Sequence, residues 1–186
     1  MVMRILGLSG SLRRDSYNRR LLTAAARELP ATATLDVFHE LADIPPYSED
    51  HAVSEAVAAL REAVGAADGV LIATPEYNAS VPGQLKNALD WVSRPFPGNS
   101  LRDKPVAVIG ASTGLFGAVW AQAELRKILK TIGAHVGDRK LAVGQANDAF
   151  GSDGGLVQPE HRDALARIVE ELRGMHVSQI CDTFMR

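Results

Sequence analysis

This 186-residue sequence has one cysteine and few aromatic residues, and its positive and negative charges nearly balance. The single cysteine, Cys181, cannot form an internal disulfide, which indicates a reducing compartment. The formal net charge of −2 lacks the basic excess of a nucleic-acid-binding surface, so we expect no nucleic-acid partner. The five histidines do not pair at metal-ligand spacing, and the sequence therefore predicts no metal site.

Long hydrophobic runs are also missing. No segment approaches the roughly 18 consecutive apolar residues that a membrane span requires, so no membrane partner is expected. The apolar stretch near the N-terminus is too short for a signal-peptide core and has no cleavage signature. Hydrophobic residues make up 46% of the chain and charged residues 23%, which favours one ordered domain over residues 1–186. Together these features predict a cytoplasmic protein.

Short apolar runs alternate with stretches of helical periodicity along the chain. The predicted strands are residues 4–8, 34–38, 69–74, 105–109 and 135–143, the last interrupted at Gly137 and Asp138. The predicted helices are residues 18–29, 52–66, 82–92, 118–132 and 159–174. Such alternation implies right-handed crossovers and a parallel sheet covered on both faces. Five strands favour a flavodoxin-like three-layer α/β/α sandwich of strand order 2-1-3-4-5 over a six-stranded dinucleotide fold.

The site of such a sheet lies beyond the carboxyl ends of the strands, where the strand order reverses. Here that rule selects the loops after the first and third strands, beside the loop after the fourth. The first loop offers hydroxyl, amide and guanidinium groups before a helix N-terminus, which suits a phosphate, although helix capping alone would use similar residues. It lacks the Gly-Lys-Ser/Thr ending and the GxGxxG pattern, so a monophosphate is favoured. Its candidate residues are Ser9, Ser11, Arg13, Ser16, Tyr17 and Asn18.

The second loop, residues 75–83, follows a strand that is apolar throughout and contains two prolines and a glycine. An aromatic residue and several polar groups at this position suit a flat heteroaromatic ring. The alternative is a tight turn before a helix, in which Tyr77 covers apolar surface. Loops at this position are often functional, which favours the first interpretation. The candidate residues are Pro75, Glu76, Tyr77 and Asn78.

The third loop, residues 110–117, consists largely of small residues that let a ligand approach the backbone. Its candidate binding residues are Ser112, Thr113 and Gly114. The loop also matches the G-x-S-x-G nucleophile elbow of hydrolases. A serine hydrolase would use Ser112, with Asp138 or Asp153 and His161. The chain is short for such an enzyme, and His161 has charged neighbours typical of a solvated helix start.

The three loops together resemble the NADPH-dependent FMN reductase family, which includes chromate and quinone reductases and azoreductase-like proteins. The resemblance covers the chain from the first strand through the fourth helix, and the last third matches only in general character. The matching residues are Gly10-Ser11-Leu12-Arg13, Ser16, Asn18 and Leu21, then Pro75-Glu76-Tyr77-Asn78, Ser80, Pro82-Gly83, Leu85-Lys86-Asn87, Asp90-Trp91 and Ser93-Arg94, then Ser112, Gly114, Gly117, Gln122 and Leu125-Arg126.

This resemblance implies an FMN-dependent NAD(P)H oxidoreductase that reduces quinones, flavins or similar small acceptors by a ping-pong hydride relay. The cofactor carries the chemistry in such enzymes, so no catalytic side chain is assigned. The resemblance further implies a homodimer or homotetramer with the flavin near the subunit interface. It assigns the phosphate to Ser11, Arg13, Ser16 and Asn18, and the flavin ring to Pro75, Glu76, Tyr77, Asn78, Ser112 and Gly114.

The third block departs from the family pattern at two positions. Ala118 stands where a second glycine is expected, and Trp120 stands where an arginine is expected. Trp120 replaces a cation by a large apolar surface, which bears on acceptor choice or on subunit contacts. An electron-carrying flavodoxin is the alternative function, but such carriers tend to be strongly acidic, unlike this chain. Candidate cations for the 2′-phosphate of NADPH are Arg14, Arg19 and Arg94.

Overall fold

The computed structural model describes residues 2–184, which contain six short strands and five helices. Strands and helices alternate along the chain except at β5 and β6, which are consecutive. The strands are β1 Met3–Ser9, β2 Ala33–Phe38, β3 Gly69–Thr74, β4 Pro105–Ala111, β5 His135–Val136 and β6 Ala142–Val143. The helices are α1 Tyr17–Arg27, α2 Glu55–Ala66, α3 Gly83–Val92, α4 Val119–Ile132 and α5 Pro159–Phe184. A 3₁₀ helix, Glu40–Asp43, lies in the predicted polar loop.

The strands form one parallel sheet of order β2-β1-β3-β4-β5, with β6 also paired to β4. The predicted order is therefore confirmed. The register aligns the carboxyl ends of the central strands, since Ser9 lies opposite Ala73 and Thr74 lies opposite Gly110. As a result, the loops after β1, β3 and β4 leave the sheet at the same edge.

Both faces of the sheet are covered, as the uninterrupted burial of β3 and β4 requires. Side chains alternate between the faces, so Val70 and Ile72 pack with α2, α3 and α4, whereas Leu71 and Ala73 pack with α1 and α5. The result is the predicted three-layer α/β/α arrangement. No helix within residues 2–184 is both long enough and apolar enough to cross a membrane.

Two helices differ from the sequence-based expectation by three residues or more. α2 begins three residues later, because the Ser54 hydroxyl accepts a hydrogen bond from Val57 N at 3.3 Å and caps the helix. α5 continues past Gly174 to Phe184. One glycine costs only about 1 kcal/mol in a helix, and packing of Met175 against the core offsets that loss.

The fifth strand is interrupted more widely than the sequence indicated. β5 and β6 contain two residues each, and both pair with β4. Arg126 of α4 occupies the break, where its guanidinium donates to Val108 O at 2.9 Å, to Arg139 O at 2.6 Å and to Gly137 O. The side chain thus replaces missing strand hydrogen bonds. Burial lowers the pKa of Arg126, and the nearby Glu171 and Asp138 oppose that shift.

We expect Arg126→Leu to destabilise the protein by about 2–4 kcal/mol, because three carbonyl groups lose a charged donor. Urea unfolding would measure the change. Arg139→Leu is the matched control, since the exposed Arg139 side chain has no hydrogen bond among the described residues, and it should stay within about 0.5 kcal/mol of the parent. Equal effects of the two substitutions would show that Arg126 does not support the interrupted strand.

Candidate functional site

The loops after β1, β3 and β4 converge on a cleft of about 110 Å³ at the carboxyl edge of the sheet. Larger grooves of about 450, 420 and 160 Å³ do not include residues 9–18 or 110–117. Ala111 is the lining residue that no sequence pattern predicted, because it contributes backbone groups rather than a functional side chain. The cleft is lined by Ser11, Arg13, Ser16, Tyr17, Asn18, Pro75, Glu76, Tyr77, Ala111, Ser112 and Thr113.

The first loop is shaped by its own hydroxyl groups. Ser16 caps α1 by accepting from Arg19 N at 3.3 Å, as the capping alternative predicted, and it also lines the cleft. Ser11 Oγ accepts from Arg13 N at 3.4 Å, and Ser9 Oγ donates to Ser11 O at 3.4 Å. The Arg13 guanidinium has no hydrogen bond or ion pair within the described residues. A free cation therefore borders the N-terminus of α1, where an anion is stabilised.

Asn18 joins the first loop to the third. Its side-chain amide donates to Ala111 O at 3.0 Å and accepts from Ala111 N at 2.9 Å. The side chain is buried, so both bonds are shielded from water. This pairing holds the start of α1 against the end of β4, which fixes the width of the cleft.

The second loop contains a tight turn. Tyr77 and Ser80 exchange two backbone hydrogen bonds of 3.0 and 3.1 Å. The two central residues, Asn78 and Ala79, have φ angles of 53° and 60°. Asparagine tolerates this left-handed conformation better than most residues, which explains its place in the turn. Asn78 is exposed and does not line the cleft, whereas Tyr77 does.

Two carboxylates fasten the second loop to α4. Glu76 Oε2 accepts from Trp120 N at 2.9 Å and from Ala121 N at 3.0 Å, and thereby caps the helix. Glu124 Oε2 accepts from Ser80 Oγ at 2.6 Å and from Val81 N at 3.3 Å. Sequence patterns predicted Glu76 at the cleft but not Glu124, because the partners of Glu124 are distant in sequence.

The third loop is held against the segment that follows β6. Ser112 N donates to Val143 O at 3.0 Å, and Gln145 N donates to Gly114 O at 3.0 Å. Gly117 has a φ angle of 60°, and a Cβ atom there would lie 2.4 Å from the carbonyl carbon of Ala142. Only glycine fits at that position. Gly114 does not line the cleft, while Ser112 and Thr113 do.

The contacts of the described residues do not support the serine hydrolase alternative. Within the described residues Ser112 Oγ has its hydrogen bond with Gly114 O, and none joins it to His161. Asp153 forms an ion pair with Arg27 at 3.5 Å, and His161 Nδ1 has no partner in this part of the chain. The nucleophile, base and orienting carboxylate that a triad requires are therefore not connected.

Arg94 lies away from the cleft. α3 starts beside the second loop, and its ten residues span about 15 Å, so Arg94 stands beyond the opposite end. There it donates to Glu49 Oε1 at 3.0 Å. Hydrogen bonds from the Tyr47 hydroxyl and from Arg94 lower the pKa of Glu49. Of the three candidate cations for a nucleotide phosphate, Arg14 is the one in the first loop.

A parallel sheet of this order, with loop motifs at its switch point, defines a flavodoxin-like protein. The solved structure of a point mutant of flavodoxin from Pseudomonas aeruginosa shares this fold at a TM-score of 0.58 and 18% identity, covering 92% of this chain and 98% of its own. The family described as NADPH-dependent FMN reductase matches residues 3–148. The chain belongs to that family, and the predicted family and flavodoxin-like fold are confirmed.

Three relatives illustrate this membership. An NAD(P)H-dependent FMN reductase of Pseudomonas aeruginosa is 38% identical over 175 residues, covering 92% of this chain and 94% of the relative. A 2-hydroxy-1,4-benzoquinone reductase of Burkholderia sp is 44% identical over 130 residues, covering 69% and 70%. The solved structure of FerB, a flavoenzyme NAD(P)H:(acceptor) oxidoreductase from Paracoccus denitrificans, has a TM-score of 0.86 and 32% identity, covering 95% and 98%.

We expect Glu76→Ala to destabilise the protein by about 1 kcal/mol, because α4 loses its capping acceptor. Glu76→Gln keeps an acceptor oxygen without the charge and should cost about half as much. Denaturant unfolding would compare both variants with Glu62→Ala, which removes an exposed carboxylate from α2 and should leave stability unchanged. Parent-like stability of Glu76→Ala would contradict the capping role.

Proposed function

We propose that this protein is an FMN-dependent NAD(P)H oxidoreductase that reduces quinones, flavins or similar small acceptors. The observation that carries the proposal is the convergence of a cationic, hydroxyl-bearing helix N-terminus with two rigid loops in one cleft. The first element suits a phosphate monoester and the other two suit a flat ring. Family membership supports the same cofactor and co-substrate.

The phosphate end of FMN fits the first loop by charge and hydrogen-bonding capacity. Ser11 and Ser16 offer hydroxyl groups, and the start of α1 offers free backbone N–H groups. Arg13 would supply the positive charge and two directed donors. Asn18 would act by holding this loop beside Ala111, because its amide is engaged there.

The ring of FMN would lie between the second and third loops. Pro75, Glu76 and Tyr77 would line one side, with Ser112 and Thr113 on the other. The cleft is smaller than the roughly 300 Å³ at which small-molecule sites begin, so one ring face would stay open. An open face allows NAD(P)H and the acceptor to occupy the same position in turn, which supports a ping-pong sequence.

Bound FMN would supply the redox chemistry, taking hydride from NAD(P)H and passing electrons to the acceptor. The protein would bind, orient and shield the reacting rings, which needs no catalytic acid, base or metal. Backbone N–H groups of the third loop would stabilise negative charge that develops nearby. No cluster of three or more metal-ligating side chains occurs among the described residues.

We further propose a cytoplasmic homodimer or homotetramer. The single cysteine supports the compartment, and family membership supports self-association. Sedimentation velocity would give the subunit number, and a monomer at micromolar concentration would contradict this part of the proposal.

The first test is the visible spectrum of the FMN-loaded protein before and after anaerobic addition of NADPH. We expect flavin absorption bands that bleach on addition of NADPH and return with a quinone. Bands that fail to bleach with either NADPH or NADH would indicate an electron carrier. A protein that takes up no FMN would refute the proposed function.

The phosphate site is tested by two adjacent arginines. Arg13→Ala should weaken FMN binding by about 10- to 100-fold, the usual cost of one charge-assisted hydrogen bond. Arg14→Ala removes the same charge from a residue that does not line the cleft and should change affinity by less than about threefold. Fluorescence quenching of FMN on binding would give both dissociation constants. Equal losses would reduce the role of Arg13 to general charge attraction.

A further inference from the structure

A groove of about 420 Å³ lies between one face of α4 and the segment that joins β5 to β6. Its volume is within the range of small-molecule sites, roughly 300–1,000 Å³. We call it the α4 groove. The residues that define it are Gln122, Arg126 and Lys130 of α4, with Asp138 and Lys140 of the facing segment.

The α4 groove carries a net positive charge. Arg126, Lys130 and Lys140 contribute three cations, whereas Asp138 contributes one carboxylate. Within residues 2–184, the ammonium groups of Lys130 and Lys140 have neither a hydrogen bond nor an ion pair. Both lysines are exposed, and their flexible stems let the ammonium groups turn toward a ligand. A groove with this balance of charge attracts anions.

Two buried polar atoms in the wall of the groove lack hydrogen-bond partners. Gln122 is 4% exposed, and its Nε2 donates to Gly117 O at 3.1 Å, but its Oε1 has no hydrogen bond among the described residues. Arg126 Nε also lacks an acceptor in this part of the chain, although both terminal nitrogens of the guanidinium donate to carbonyl groups. Buried polar groups are nearly always paired in proteins. One acceptor and one donor therefore point to a ligand that carries both kinds of group.

One end of the α4 groove adjoins the third loop. Val119, the first residue of α4, and Ala142 of β6 line that end. Gly117 of the third loop packs against it, since a Cβ atom at Gly117 would lie 2.4 Å from the carbonyl carbon of Ala142. Lys130 lies about 16 Å farther along the helix, at 1.5 Å per residue. The groove thus begins beside the loop that lines the cleft and extends away from it.

We propose that the α4 groove is a second anion site, which binds a phosphorylated sugar outside the cleft. The phosphate would lie against Arg126, Lys130 and Lys140, and a sugar hydroxyl would donate to Gln122 or Asp138. A phosphate monoester is close to a dianion at neutral pH, which matches a site with several cations. Two sources share this chemistry, namely the 2′-phosphorylated ribose of NADPH and a free phosphorylated metabolite. Only the first source rests on the proposed function.

The binding test uses adenosine 2′,5′-bisphosphate and isothermal titration calorimetry. The protein is loaded with FMN, so that the proposed phosphate position in the cleft is filled. We expect saturable binding of the bisphosphate to the parent and none of adenosine, which has no phosphate. Lys130→Ala and Lys140→Ala should each weaken binding about fivefold, as expected for one exposed cation, and the double variant about 25-fold.

Lys127→Ala is the matched control, because Lys127 is an exposed lysine of the same helix that lines a different groove. It should change the dissociation constant by less than about twofold. Arg13→Ala tests whether the bisphosphate binds in the cleft instead, and it should leave the affinity unchanged. A chain that takes up no FMN would refute the proposed function alone, since the same titration then proceeds with unloaded Arg13→Ala protein.

Steady-state kinetics separate the two sources, and either result supports the site. A KM for NADPH that rises about fivefold in Lys130→Ala, with an unchanged KM for NADH, would identify the 2′-phosphate of the co-substrate as the ligand. Unchanged KM values together with weakened bisphosphate binding would identify a free phosphorylated metabolite.

Three results would overturn the proposal. The first is the absence of saturable bisphosphate binding to the parent. The second is equal weakening by Lys127→Ala and Lys130→Ala, which would reduce the effect to general charge attraction. The third is loss of binding in Arg13→Ala, which would place the bisphosphate in the cleft.

Discussion

Backbone hydrogen bonding along the buried strand β4 is the constraint on which the rest of the structure depends. A central strand covered on both faces must find partners for all its N–H and C=O groups. On its outer side β4 obtains them successively from β5, from Arg126 and from β6. Because β6 resumes the pairing at Ala142, the backbone after β4 is held in place as far as Ser112. The geometry of the cleft thus depends on a side chain that fills a gap in the sheet.

Several residues of the loop motifs form side-chain hydrogen bonds with the backbone of neighbouring elements. Asn18 bonds both backbone groups of Ala111, and Glu76 caps α4. Side-chain bonds of this kind satisfy polar groups that loops and helix ends would otherwise leave unpaired. A shift of one of these loops would therefore leave several polar groups without hydrogen-bond partners. This rigidity is what a site needs if its cofactor is to be held in one orientation.

Charge is divided between the two ends of the cleft. Arginines border the start of α1, while the loops beside the proposed ring site carry carboxylates whose oxygens are largely engaged with backbone groups. A helix N-terminus and guanidinium groups attract an anionic phosphate. At the opposite end, Pro75 and Tyr77 line the cleft beside Ser112 and Thr113, which suits a flat ring. One small cleft can therefore distinguish the two ends of the same cofactor.

The sequence by itself determined the alternation of strands and helices, the strand order and most of the cleft-lining residues, because apolar periodicity and switch-point position are local patterns with few alternatives. It could not give the width of the break in the fifth strand, which depends on Arg126 reaching across from α4. Nor could it separate Asn78, which shapes a turn, from Tyr77, which lines the cleft. Sequence patterns did not predict the roles of Ala111 and Glu124, because these roles depend on partners that are distant in sequence. Only tertiary structure decides such roles, since hydrogen bonds and exposure arise between elements after they have packed.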